Sequence, residues 1–224
     1  MVGRVARLHP GWHRHRIMFE HINYTLIITA AFLGAGSPGP STLAIAGTAM
    51  AHGRGQALAL VAGISSGSWI WSIAAALGLS ALMFANAWVF ELLRYLGAGY
   101  LLFLAYRSAR SALSPTRTQL RSVTARSHRS AYGKGLAMHL TNPKAILFFG
   151  ALYSVGVPVT ATRWEIASVV LLVGLQSMGI FIAYAVLFSN PRVVGVYIRL
   201  RRWFEGAFAV AFGFAGLKLL TARL

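Results

Sequence analysis

An all-α membrane protein, with six transmembrane helices in an inverted 3+3 repeat whose first and fourth helices are broken, is the fold this sequence predicts. Three observations lead there. Hydrophobic residues make up 57% of the 224 and charged residues only 11%, against roughly a quarter charged in soluble domains. The apolar residues gather into six long runs. Two of those runs are interrupted by proline, at Ser37-Pro38-Gly39-Pro40 and at Thr141-Asn142-Pro143-Lys144. Proline removes a backbone donor and clashes with the preceding turn, so neither helix continues unbroken. In lipid the freed carbonyls need protein or a water-lined cavity. Paired breaks in two halves are the usual sequence pointer to a transporter's site.

The runs cover about 22–51, 56–83, 87–106, 135–157, 164–188 and 203–221. Each holds roughly 20 residues or more, enough to cross ~30 Å of hydrocarbon. The first half opens with a proline-broken helix, continues with a glycine-spaced one (Gly63 and Gly67) and closes on Arg94-Tyr95-Leu96-Gly97-Ala98. The second half repeats the plan with Gly174 and Gly179, then Arg202-Trp203-Phe204-Glu205-Gly206-Ala207. Three spans per copy is an odd number, so the copies face opposite ways. The expected organisation is a basic N-terminal extension over 1–17, then one transporter domain over 18–224. Half-repeats of about 18–108 and 133–224 are linked by a basic cytoplasmic loop, 109–132.

Charge sets the orientation. The chain carries 21 Lys and Arg against four acids, a formal net charge of +17. Twelve of the basic residues fall on one side. They are Arg54 after the first span, the seven from Arg107 to Lys134 between the third and fourth, and Arg192, Arg199, Arg201 and Arg202 between the fifth and sixth. The positive-inside rule makes that side cytoplasmic and puts both termini outside. The leader, with Arg4, Arg7, Arg14 and Arg16, runs against the rule. Met18 is an alternative start that would remove it. Basic loops between apolar spans point to anionic lipid rather than nucleic acid. The absence of cysteine excludes disulfides and thiolate chemistry. No Asp and four scattered Glu offer no catalytic constellation, so a lipid enzyme is disfavoured. A metal-ion exporter is disfavoured for want of intramembrane carboxylate or thiolate ligands. No cofactor or metal is expected.

Order and spacing of several short motifs resemble the lysine/homoserine exporter family (LysE/RhtB). They are Pro38-Gly39-Pro40 followed by Gly53-Arg54-Gly55, the Gly63 to Gly67 run, and Gly97-Ala98-Gly99-Tyr100-Leu101 ending at Arg107. Asn142-Pro143-Lys144-Ala145 with Phe148-Phe149 completes the set. The resemblance covers roughly 19–221. It implies secondary export of amino acids or similar carboxylate-bearing small molecules across the bacterial inner membrane, driven by proton influx. The chain departs from the family where relatives carry Gly-Asp with a His three residues on: here stand Ser68 and Trp71. Gln176 and Ser177 replace a further acid in the fifth span. Without those carboxylates the substrate is expected to be neutral or apolar rather than lysine.

The candidate substrate site is therefore Pro38, Gly39, Pro40, Asn142, Pro143 and Lys144. Glycine allows close approach, and Pro40 suits the first position of a new half-helix, whose N–H groups favour a carboxylate. Lys144 is the one lysine inside an apolar run, at a cost of ~2.5–3.5 kcal/mol on insertion scales. A substrate carboxylate would offset that cost; a stem snorkelling to the cytoplasmic headgroups is the plain alternative. Asn142 both donates and accepts, so it either bridges the break or reads the substrate. Ser41, Ser68, Trp71, His139 and Glu91 are candidates for site lining or coupling. His139 is equally readable as a packed histidine, and Glu91 as an internal partner of Arg94. The sequence leaves a homo-oligomer open.

Overall fold

The computed structural model describes residues 22–83, 87–114, 122–158 and 160–221. The basic leader and the middle of the Arg-rich linker lie outside them. Among the described residues there are seven helices and no strand. They are α1 (Tyr24–Gly36), α2 (Pro40–Met83), α3 (Ala87–Leu113), α4 (His128–Leu140), α5 (Pro143–Gly156), α6 (Arg163–Leu187) and α7 (Pro191–Thr221). Seven pieces arise from six runs because both interrupted runs are split, while the first two are joined through Gly53.

Each proline break is a true helix end. α1 closes on Ser37, whose backbone is extended and whose N–H bonds the Leu33 carbonyl. The chain then restarts at Pro40, where the missing N–H would have had no helical partner in any case. α4 closes on Thr141, with its N–H on Ala137 and His139. α5 restarts at Pro143, capped by the Asn142 side chain, which accepts from the Lys144 N–H at 3.0 Å. Within α2, Gly53 adopts φ 78° and ψ 178°. It is the one positive φ among the described residues, in a region where glycine sits at little cost. Gly53 thereby ends the first arm of α2 and starts the second.

Two helices are long and apolar enough to cross a membrane by themselves, Pro40–Gly78 and Arg163–Leu187, with mean hydropathy 1.5 and 2.2. The split runs leave pieces of 13, 13 and 14 residues in α1, α4 and α5. Exposure follows the pattern of a protein solvated by lipid. Leu171, Leu172, Leu175, Ile182 and Leu187 of α6 face outward, whereas Ser37, Ser41, Thr42, Ser68, Ser72 and Ser177 are buried. A water-soluble domain does not leave so much contiguous apolar surface uncovered.

Glycines set the closest helix contacts. The second arm of α2 lies on α4 with Gly63 against the Tyr132 carbonyl and Gly135 against the Leu60 carbonyl, so a methyl at either would collide with backbone. This is small-residue packing of the membrane type. α6 lies on α1, where Tyr24 shares a hydrogen bond with Ser168 and Tyr184 donates to the Gly36 carbonyl. α3 and α7 pair, with Gly216 beneath Leu102. Two apolar clusters result. One joins Ile27 and Ala31 of α1 to Phe148, Phe149 and Tyr153 of α5 and Val169 of α6. The other joins Ile45, Leu60 and Ile64 of α2 to Phe181 and Ala185 of α6.

Candidate functional site

Buried polar side chains lying between the two clusters meet at one cavity, where both breaks converge. Its walls are Phe148 and Phe149 from the first cluster and Phe181 from the second. Its polar lining comes from Ser37, Gly39, Ser41 and Thr42 around the first break and from His139, Asn142 and Lys144 around the other. Ser68 and Ser177 close it from α2 and α6.

The breaks interlock rather than merely face each other. The Lys144 stem crosses Gly39, where a Cβ would stand 3.2 Å from both Cδ and Nζ. Its ammonium donates to the Ser37 carbonyl at 3.0 Å and to the Ser37 hydroxyl. The Ser37 hydroxyl in turn donates to the Gly34 carbonyl at 3.2 Å. Thr42 Oγ1 accepts from the Gly39 N–H at 2.9 Å, which secures the turn between the prolines. Gly39 has no positive φ. A side chain at this position would crowd the lysine stem, which would have to shift by a few tenths of an ångström.

His139 ties three helical segments together. Its Nδ1 and the Ser41 hydroxyl are 3.1 Å apart, and its Nε2 and the Ser68 hydroxyl 3.0 Å. An imidazole with one ring proton donates to one serine and accepts from the other; a second proton would make both serines acceptors. Asn142 Nδ2 donates to Ser41 at 3.4 Å, so Asn142 both caps α5 and reaches across to α2. A Phe181 edge contact, 6.1 Å between ring centres, covers the imidazole.

Several expected residues take other places. Pro38, Pro40 and Pro143 shape the breaks but do not line the cavity. Trp71 packs against the first cluster instead, and its Nε1 is buried with no hydrogen-bond partner among the described residues. It lies three residues beyond Ser68, one helical turn further along α2. The Glu91 side chain lies outside the described residues. Lys144 does not snorkel; its ammonium turns inward to Ser37. Phe181 was not singled out from the sequence, and Ser177 was noted only for replacing an acid. Thr42, readable from the sequence as a hydroxyl that satisfies carbonyls freed at the break, lies within hydrogen-bond reach of the Ser37 and Gly39 carbonyls.

The family model described as LysE type translocator matches residues 32–223. The chain belongs to the LysE type translocators. These are translocators rather than enzymes. A threonine efflux protein of Salmonella typhi is 34% identical over 193 residues, covering 84% of this chain and 92% of the relative. The threonine efflux protein of Escherichia coli K12 is 33% identical over the same length. A leucine efflux protein of Enterobacter sp. 638 is 28% identical over 175 residues, 78% of this chain and 82% of the relative. No solved structure matches this translocator.

Proposed function

We propose that this translocator is a secondary exporter of neutral amino acids of the threonine and leucine kind across the bacterial inner membrane. The observation that carries the reading is the cavity between the breaks, which pairs one ammonium with amide, hydroxyl and phenyl groups. Lys144 would receive the substrate carboxylate, with Asn142 as a neutral donor beside it. Ser41, Ser68, Thr42 and Ser177 offer hydroxyl partners, and Phe148 and Phe181 a surface for an aliphatic side chain. A side chain bearing its own positive charge would meet Lys144 with no carboxylate in the lining to balance it. The names of the relatives fit a neutral substrate.

The transport cycle we infer uses six spans in two inverted halves. In support, α1 and α4 are each 13 residues long, and each ends in a break followed by a proline-initiated helix. The second arm of α2 packs on α4 as α6 packs on α1, and α3 pairs with its counterpart α7. The halves would rock about the interlocked breaks, exposing the cavity to each side in turn. Proton influx would act through His139, whose two serine partners must reorient when it gains or loses a proton.

Uptake of labelled amino acids into inside-out vesicles tests the reading. Threonine or leucine should accumulate when a proton gradient is imposed, and lysine and arginine should not. Preference for the cationic amino acids would contradict it.

A further inference from the structure

An α-amino acid brings an ammonium as well as a carboxylate, and among the described residues the cavity lining contains no acid to receive it. The structure nevertheless holds an ammonium there: that of Lys144. Its seat is the carboxyl end of α1. The last carbonyls of a helix lack intrahelical partners and carry the negative end of its dipole. The Ser37 carbonyl accepts from Nζ at 3.0 Å, and the Ser37 hydroxyl, its proton turned to Gly34, accepts as well. Ser37 is buried, its carbonyl also accepts from the Thr42 hydroxyl at 3.4 Å, and Gly39 adds no side chain of its own beside the lysine stem.

We propose that Ser37 is the ammonium subsite for the transported amino acid, and that Lys144 occupies it until substrate arrives. The substrate ammonium then takes the Ser37 carbonyl and hydroxyl, while the displaced Nζ turns to the substrate carboxylate. One ammonium replaces another at the seat, so no cation is left without a partner. The cavity has about 40 Å³ of room, enough for a few waters.

The exchange selects zwitterions. An amine without a carboxylate would displace Nζ and leave it buried and unpaired. A carboxylate without an ammonium would draw Nζ away and leave the Ser37 acceptors without their charged donor, with only the Thr42 hydroxyl at 3.4 Å on the carbonyl. Only a molecule with both groups satisfies both ends. The inference rests on the amino-acid reading above and adds to it where the second charge goes.

Counterflow of labelled threonine in proteoliposomes containing the full chain tests it, with threoninol and 2,3-dihydroxybutyrate as competitors. Wild type should be inhibited by threonine and by neither analogue. Lys144→Ala vacates the seat, so threoninol binding, read by thermal shift in detergent, should rise about tenfold or more relative to threonine, the scale of a charge-assisted bond. Ser37→Ala keeps the carbonyl but removes the hydroxyl from the resting and the occupied seat alike, so it should leave threonine little changed relative to wild type while strengthening the hydroxy acid, which no longer has to empty as good a seat. If Lys144→Ala does not fold, the wild-type competition and Ser37→Ala still decide. Equal inhibition of wild type by threonine and threoninol overturns the proposal and leaves amino-acid export standing. Wild type that moves no neutral amino acid overturns both.

Discussion

Asn142 carries two duties that can be separated. Its Oδ1 caps α5 and its Nδ2 reaches Ser41. Asn142→Ala should lower stability by about 1 kcal/mol, the usual cost of a lost N-cap, seen as a lower melting temperature in detergent. Asn142→Asp keeps the cap acceptor and should recover that stability, yet it places a carboxylate beside Lys144 and should depress transport. Recovery of transport as well would make Asn142 a cap and nothing more. His139 offers a cleaner division. His139→Gln should abolish accumulation driven by a proton gradient while sparing counterflow, which needs no proton. Loss of both together would mark His139 as structural. Lys144, Asn142 and Gly39 were legible in the sequence because each is chemically out of place in an apolar run. What Gly39 does was not legible, since its neighbour Lys144 lies more than a hundred positions away.

Helix pairs show the same division between what neighbours in sequence reveal and what only packing reveals. The two breaks could be placed from proline alone, because the loss of a donor and the clash with the preceding turn are local. The Gly63 to Gly67 spacing announced a close contact without naming its partner. The partner is α4: Gly63 meets Tyr132, and Gly67 lies under His139. Gly63→Ala or Gly135→Ala would force backbone apart, with an expected loss of about 1–3 kcal/mol, as for overpacked cores. Because Gly67 and His139 share that interface, Gly63→Ala should also reduce transport. Detergent stability measured beside counterflow checks both; a fully stable Gly63→Ala protein would contradict the tight contact. Trp71 shows the limit of reading by proximity in sequence. One helical turn from Ser68, it belongs to a different layer, and nothing in the local pattern distinguishes the two.

At the scale of the whole chain, the absence of native cysteine makes topology directly measurable. Single cysteines at Arg54, Arg126 and Arg192 should react with an impermeant maleimide only from the cytoplasmic side, and one at Thr160 only from outside. Labelling of Arg54→Cys and Arg126→Cys from opposite sides would break the inverted arrangement. The Lys144 ammonium on Ser37 has a consequence for the cell as well as for the site. A seat that is its own lysine's resting place is never simply empty, and a substrate's apparent affinity is its intrinsic affinity scaled down by the fraction of time the seat is vacant. In the cell, the substrate concentration that half-fills such a carrier would lie above the site's intrinsic dissociation constant, by a factor set by one hydrogen-bonded amine.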